Sequence, residues 1–97
     1  MLNARDLQRV VAGSGLTKVE IAALYGVSRQ ALHYWETKGL PREGSHTSRA
    51  AEVITKAILN AMDRKILPLA AVSRDERARR IARMTHTLQN LKPAPAK

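Results

Sequence analysis

The stretch that most constrains this chain runs from Thr17 to Glu36, because signals that start and stop helices recur there at very short intervals. Thr17 is followed three residues later by Glu20, which is the spacing of a capping box at a helix start. Gly26 favours the left-handed conformation that ends a helix. Ser28 offers a second N-cap only two residues later. The sequence therefore predicts two short helices joined by a tight turn.

The second of these helices, predicted over Arg29–Lys38, divides into an apolar face and a polar face. Leu32 and Trp35 lie three residues apart and share the face that can pack on the first helix. The opposite face carries hydrogen-bonding side chains, namely Arg29, Gln30, His33, Tyr34 and Thr37. Arginine can bond guanine through two hydrogen bonds, and glutamine can do the same for adenine. We therefore expect this face to contact bases in the major groove of DNA, with Lys18–Tyr25 as the supporting helix.

Residues 17–39 resemble the helix-turn-helix of phage Cro and CI-type (Xre-like) repressors and their bacterial relatives. The matching positions are a small residue where the helices cross, the turn glycine, the residue after it and two inward side chains: Ala22, Gly26, Val27, Leu32 and Trp35. The resemblance covers about a quarter of the chain. It implies a transcriptional regulator of phage or plasmid type, most simply a repressor, that binds a palindromic operator in double-stranded DNA as a homodimer.

Five further residues are predicted to contact DNA phosphates around the recognition helix. Thr17 and Lys18 lie at the start of the supporting helix, where the helix dipole favours an anion. Ser28 precedes the recognition helix, Lys38 ends it, and Arg42 lies in the loop that follows. Contacts to bases are expected to determine specificity, whereas contacts to phosphates add affinity for any sequence.

The charge of the chain favours a polyanionic partner. Seventeen Lys and Arg residues against eight Asp and Glu residues give a net charge of +9. Residues 1–40 carry a net charge of +2, and residues 41–97 carry +7. The arginines of residues 74–83 either lie near flanking phosphates or only solvate their helix, and the sequence leaves both interpretations open.

The composition predicts an all-α fold. With no Phe, one Trp and two Tyr, the interior must be filled by aliphatic side chains, which suits a compact domain of about five helices around a central helix-turn-helix. The further helices are predicted from Asn3 to about Gly13, from about Ser48 to Leu67 before Pro68, and from Ser73 to about Leu91. Residues 1–67 are assigned to the DNA-binding domain, residues 68–92 to a C-terminal helix and residues 93–97 to a disordered tail. The narrow apolar stripe of the C-terminal helix suits one partner helix, either the fourth helix or its own copy in a second subunit, so this helix is a possible dimerisation element.

Several classes of function are not expected. The absence of cysteine excludes disulfides and thiol chemistry. His33, His46 and His86 lie in different segments, so neither an enzyme nor a metal or cofactor site is predicted, and no effector pocket is apparent. No apolar run approaches the ~20 residues of a membrane span, and there is no signal-peptide pattern. We therefore expect a cytoplasmic protein with no membrane contact.

Two other interpretations remain open. Residues 32–40 also resemble the motif of MerR-type proteins and of some phage terminase small subunits, but the MerR wing requires two strands, and residues 41–47 are too short for them. Alternatively, the chain is a protein-binding module, such as an antitoxin, whose basic C-terminal helix engages an acidic partner. Sequence preference on DNA distinguishes this alternative from a regulator.

Overall fold

A computed structural model describes residues 2–91, which form five helices and no strand. The helices are α1 (Ala4–Gly13), α2 (Lys18–Tyr25), α3 (Arg29–Thr37), α4 (His46–Asp63) and α5 (Arg74–Leu91). The Cα radius of gyration is 13.1 Å, which is close to the ~13 Å expected of a globular chain of about 100 residues. The all-α prediction is confirmed, whereas the predicted disordered tail, residues 93–97, lies outside the described residues.

Each helix begins at a side-chain oxygen that accepts a hydrogen bond from a backbone N–H three residues later. These N-caps are Asn3, Thr17, Ser28, Ser45 and Ser73, with donor–acceptor distances between 2.8 and 3.2 Å. At α2 the capping box is complete, because the Glu20 carboxylate accepts from the Thr17 N–H at 2.8 Å. A cap of this kind contributes about 1 kcal/mol, so the helix starts are strongly specified by local sequence.

The predicted bounds of the fourth helix were wrong at both ends. The helix starts at His46, because Ser45 rather than a later residue provides the N-cap. It ends at Asp63, four residues before the predicted end at Leu67. Lys65 adopts a left-handed backbone with φ 63°, and the next N–H, that of Ile66, donates to the Ala61 carbonyl at 2.9 Å. This is the hydrogen bond of a Schellman motif, so Pro68 does not terminate the helix.

One aliphatic core joins all five helices. Its largest fully buried members come from α1, α2, α3, α4 and the segment after α4: Leu7, Val10, Ile21, Leu24, Leu32, Ile54, Ile58 and Leu67. Helix α4 packs against α1 and α2, while α5 packs mainly against α2 and also against α4. Leu88 of α5 is buried in the same cluster, so the C-terminal helix completes the core of the helix-turn-helix within one chain.

Candidate nucleic-acid interface

The turn between α2 and α3 is formed by local hydrogen bonds. Gly26 adopts φ 71° and ψ 30°, the left-handed conformation that its lack of a Cβ allows at low cost. The Val27 N–H donates to the Ala22 carbonyl at 3.0 Å. Ser28 then starts α3 directly. The predicted pair of short helices and its tight turn are therefore present at the expected residues.

Helix α3 is anchored from one side. Leu32 is 1% exposed and Trp35 is 9% exposed. The Trp35 ring packs edge-on against Tyr25, with 5.8 Å between ring centroids. Tyr25 in turn shares a hydrogen bond with the Thr55 hydroxyl of α4, and burial raises the pKa of Tyr25 to about 12. These contacts fix the rotation of α3 about its own axis, so they determine which residues face outward.

The polar face of α3 is exposed along its whole length. All five residues predicted to contact bases lie on it: Arg29, Gln30, His33, Tyr34 and Thr37. Tyr34 is 60% exposed. Within residues 2–91, only the Thr37 side chain among these five makes a hydrogen bond, donating its hydroxyl proton to the His33 carbonyl at 2.9 Å. The other four side chains keep their hydrogen-bonding groups available.

The five residues predicted to contact phosphates are exposed as well. The hydroxyl oxygens of Thr17 and Ser28 accept helix-capping hydrogen bonds, which leaves each hydroxyl proton available for donation. Lys38 and Arg42 lie at and beyond the end of α3. Lys18 differs from the rest, because its ammonium group already forms an ion pair with another side chain of this surface.

Glu36 is the acidic partner of Lys18, and its sequence position does not predict this role. The Lys18 Nζ lies 3.1 Å from a carboxylate oxygen of Glu36, whose side chain is 15% exposed. This ion pair joins the start of α2 to the end of α3. The two residues are 18 positions apart, so no local sequence pattern indicates the contact. A phosphate that approaches Lys18 must compete with Glu36.

Helix α5 reaches the same end of α2 through Arg77. The Arg77 Nη2 donates to the Glu20 carboxylate at 2.9 Å and to the Gly15 carbonyl at 3.2 Å. Burial by itself would raise the pKa of Glu20, but the Thr17 N–H and the Arg77 guanidinium together hold that pKa below its usual value. Arg77 is therefore used within the protein, although the helix start that it contacts is the one that carries Thr17 and Lys18.

The other arginines of α5 are divided between internal ion pairs and exposed positions. Arg80 donates to Glu76 at 3.0 Å, and Arg79 lies 3.4 Å from the same carboxylate. Arg74 and Arg83 are exposed. Only part of the charge at residues 74–83 is thus available to a partner.

Other features place the site in context. No helix within residues 2–91 combines the length and the apolar character that crossing a bilayer requires. In the same part of the chain, no group of three His, Cys, Asp or Glu residues is arranged to hold a metal ion. The connection between α3 and α4 contains no strand, so the wing of MerR-type proteins is not found there.

No protein-family model, curated protein or solved structure matches the chain.

Proposed function

We propose that this protein is a sequence-specific regulator that binds double-stranded DNA through α3 and acts as a homodimer. The observation that carries the proposal is the exposed face of α3, whose side chains have hydrogen-bonding groups that the fold does not use. A helix of nine residues that is anchored from behind and polar in front suits insertion into the major groove. The basic excess of the chain supports the same partner.

The roles of the α3 side chains follow from their chemistry and position. Arg29 and Gln30 are at the start of the helix and contact bases, with guanine and adenine as their preferred partners. His33 lies one turn beyond Arg29 and contacts a base or a phosphate. Tyr34 and Thr37 flank it. Because the Thr37 hydroxyl proton is committed to the helix backbone, its methyl group remains for contact with a thymine methyl.

The residues around α3 position the helix on the sugar–phosphate backbone. Thr17 and Ser28 donate their free hydroxyl protons, and the two helix N-termini that they cap favour a phosphate. Lys38 and Arg42 supply charge at the far end of α3. Lys18 joins them when a phosphate displaces Glu36. These contacts add affinity for any duplex, and they make binding weaker as the salt concentration rises.

The homodimer is proposed because one recognition helix contacts few bases. A two-fold axis places two copies of α3 about one turn of DNA apart, ~34 Å, on a palindromic operator. Such a dimer represses transcription when its operator overlaps a promoter, because the bound protein excludes polymerase.

Selection of bound duplexes from a random pool tests this proposal. The expected result is an enriched palindrome with half-sites about one helical turn apart. Enrichment of a single half-site would support DNA binding but contradict the dimer. No enrichment over the starting pool would contradict the proposal and favour a module whose basic surface binds an acidic protein.

A further inference from the structure

An apolar groove lies between α4, α5 and the segment of residues 65–70. Its volume is about 620 Å³, which lies within the range of pockets that bind small organic molecules. Apolar side chains form most of its wall, among them Ala61, Ile66, Leu69, Met84 and Leu88. Ile66 is 52% exposed although it is a large aliphatic residue. The groove therefore presents apolar surface that the chain itself does not cover.

The wall formed by residues 65–70 is held in place by backbone and packing contacts. Leu67 is 2% exposed and anchors the segment in the core. Pro68 packs so closely on Gly15 that a Cβ added there would lie 2.7 Å from the Pro68 Cβ. Gly15 also has φ 71°, which favours glycine. Leu67 and Gly15 do not line the groove, so these contacts hold its wall from behind and leave the groove open.

The rim of the groove is cationic. Three basic residues line it, Lys65, Arg80 and Arg83, and no Asp or Glu lines it. The Nε of Arg80 donates a hydrogen bond to the Glu76 carboxylate at 3.0 Å. Lys65 and Arg83 form no ion pair within residues 2–91, and both are exposed. An apolar interior with unpaired cations at its edge matches a ligand that has an apolar chain and one anionic end.

We propose that this groove binds a single-chain amphiphilic carboxylate, with the chain along Met84 and Leu88 and the carboxylate at Arg83 and Lys65. From Arg83 to Leu88 the helix rises about 7.5 Å, which about seven carbons of an extended chain span, so a ten-carbon chain is long enough to follow this stretch. A second copy of this face suits the groove poorly, because it would bring two cationic rims together. Residues 92–97 suit it no better, since they carry two lysines and no acid.

Decanoate, used below its micelle concentration, is the probe for this site. The expected result is saturable binding by calorimetry, with methyl NMR shifts concentrated at Met84, Leu88 and Ile66. Decanol should bind more weakly because it lacks the charge, and decyltrimethylammonium should not bind. Arg83→Gln should weaken decanoate binding roughly two- to fivefold, as expected for a partly exposed ion pair. The matched control is Arg79→Gln, which removes the same charge from α5 outside the groove and should leave binding unchanged.

Three outcomes would overturn the proposal. One is non-saturable binding, or shifts spread over the surface. Another is an equal loss of affinity in Arg79→Gln and Arg83→Gln, which would mean that only net charge matters. The third is binding of an acidic amphipathic peptide to the groove when decanoate does not bind, which would assign the groove to a protein partner. No residue of α3 lines the groove, so these results do not depend on whether α3 binds DNA.

Discussion

The side chain of Tyr25 connects the helix-turn-helix to α4. Its ring packs against Trp35 of α3 and its hydroxyl bonds to Thr55 of α4. Because the Thr55 hydroxyl donates its own proton to the Ala51 carbonyl at 2.7 Å, Tyr25 must be the donor in the shared hydrogen bond. An ionised Tyr25 cannot donate, so its deprotonation removes this contact and places a charge in the core.

The raised pKa of Tyr25 predicts a loss of stability at high pH. The pKa of Tyr25 is about 12 in the folded protein, against 10.0 for an unperturbed tyrosine, so its contribution to stability is complete below pH 10 and disappears as the pH rises towards 12. By pH 11 the free energy of unfolding should fall by about 1 kcal/mol from this group. Tyr25→Phe should lack this loss while being about 1 kcal/mol less stable at pH 7. Urea denaturation of both proteins at pH 8, 10 and 11 measures the difference, and parallel pH profiles would contradict it.

Glu36 is predicted to weaken DNA binding, since it neutralises Lys18 at the proposed interface. Glu36→Gln frees the ammonium group for a phosphate and removes a negative charge from the end of α3. We expect a several-fold gain in affinity for duplex DNA and a salt dependence steeper by up to about one unit of slope. Asp63→Asn, which makes the same charge change at the end of α4, is the control. Equal gains in the two variants in a fluorescence titration would show that only net charge matters.

At the scale of the helices, starts were easier to predict than ends. Thr17 and Ser28 were predicted as N-caps and Asn3 and Ser73 as helix starts, and all four cap a helix. The start of α4 was predicted too late because Ser45 and Ser48 are both suitable N-cap residues. Its end was missed because the left-handed position is occupied by lysine, whereas the signal used to predict such a position is glycine.

Lys65 is therefore a site where one substitution should stabilise the protein. A lysine at φ 63° carries a steric cost that glycine avoids, so Lys65→Gly should raise the free energy of unfolding by about 0.5–1 kcal/mol. Lys56→Gly in the interior of α4 should lower the free energy of unfolding by about 1 kcal/mol. Chemical denaturation compares the two variants with the parent protein. A loss of stability in Lys65→Gly would contradict this explanation of the helix end.

The packing of α5 was only partly predictable. Its narrow apolar stripe correctly indicated contact with another helix, but α2 was not among the partners considered. Besides apolar packing, two polar side chains of α5 make that contact: Arg77 donates to Glu20, and the Nε2 of Gln89 donates to the Leu24 carbonyl at 2.7 Å. These partners are 57 and 65 residues apart in sequence. By contrast, the exposed face of α3 was predictable because helical periodicity alone places it opposite Leu32 and Trp35.

Because all five helices share one core, we expect the helix-turn-helix to need α5 in order to fold cooperatively. A chain that ends at residue 72 loses Leu88 from the core and both polar contacts to α2. We expect this shortened chain to lose its cooperative thermal unfolding, whereas a chain that ends at Leu91 should keep it. Circular dichroism melts test both. Cooperative unfolding of the shorter chain within a few degrees of the parent would show that α5 is an independent element.

We propose that the exposed face of α3 distinguishes one DNA sequence from another. The most direct test measures binding to the selected duplex and to a scrambled duplex for variants matched between α3 and α1. Arg29→Ala and Gln30→Ala should each cost ~1–3 kcal/mol on the selected duplex and much less on the scrambled one. Arg9→Ala and Gln8→Ala, at exposed positions of α1, should leave the preference intact. Equal effects of the α1 and α3 variants, or an undiminished preference without Arg29 and Gln30, would contradict the claim.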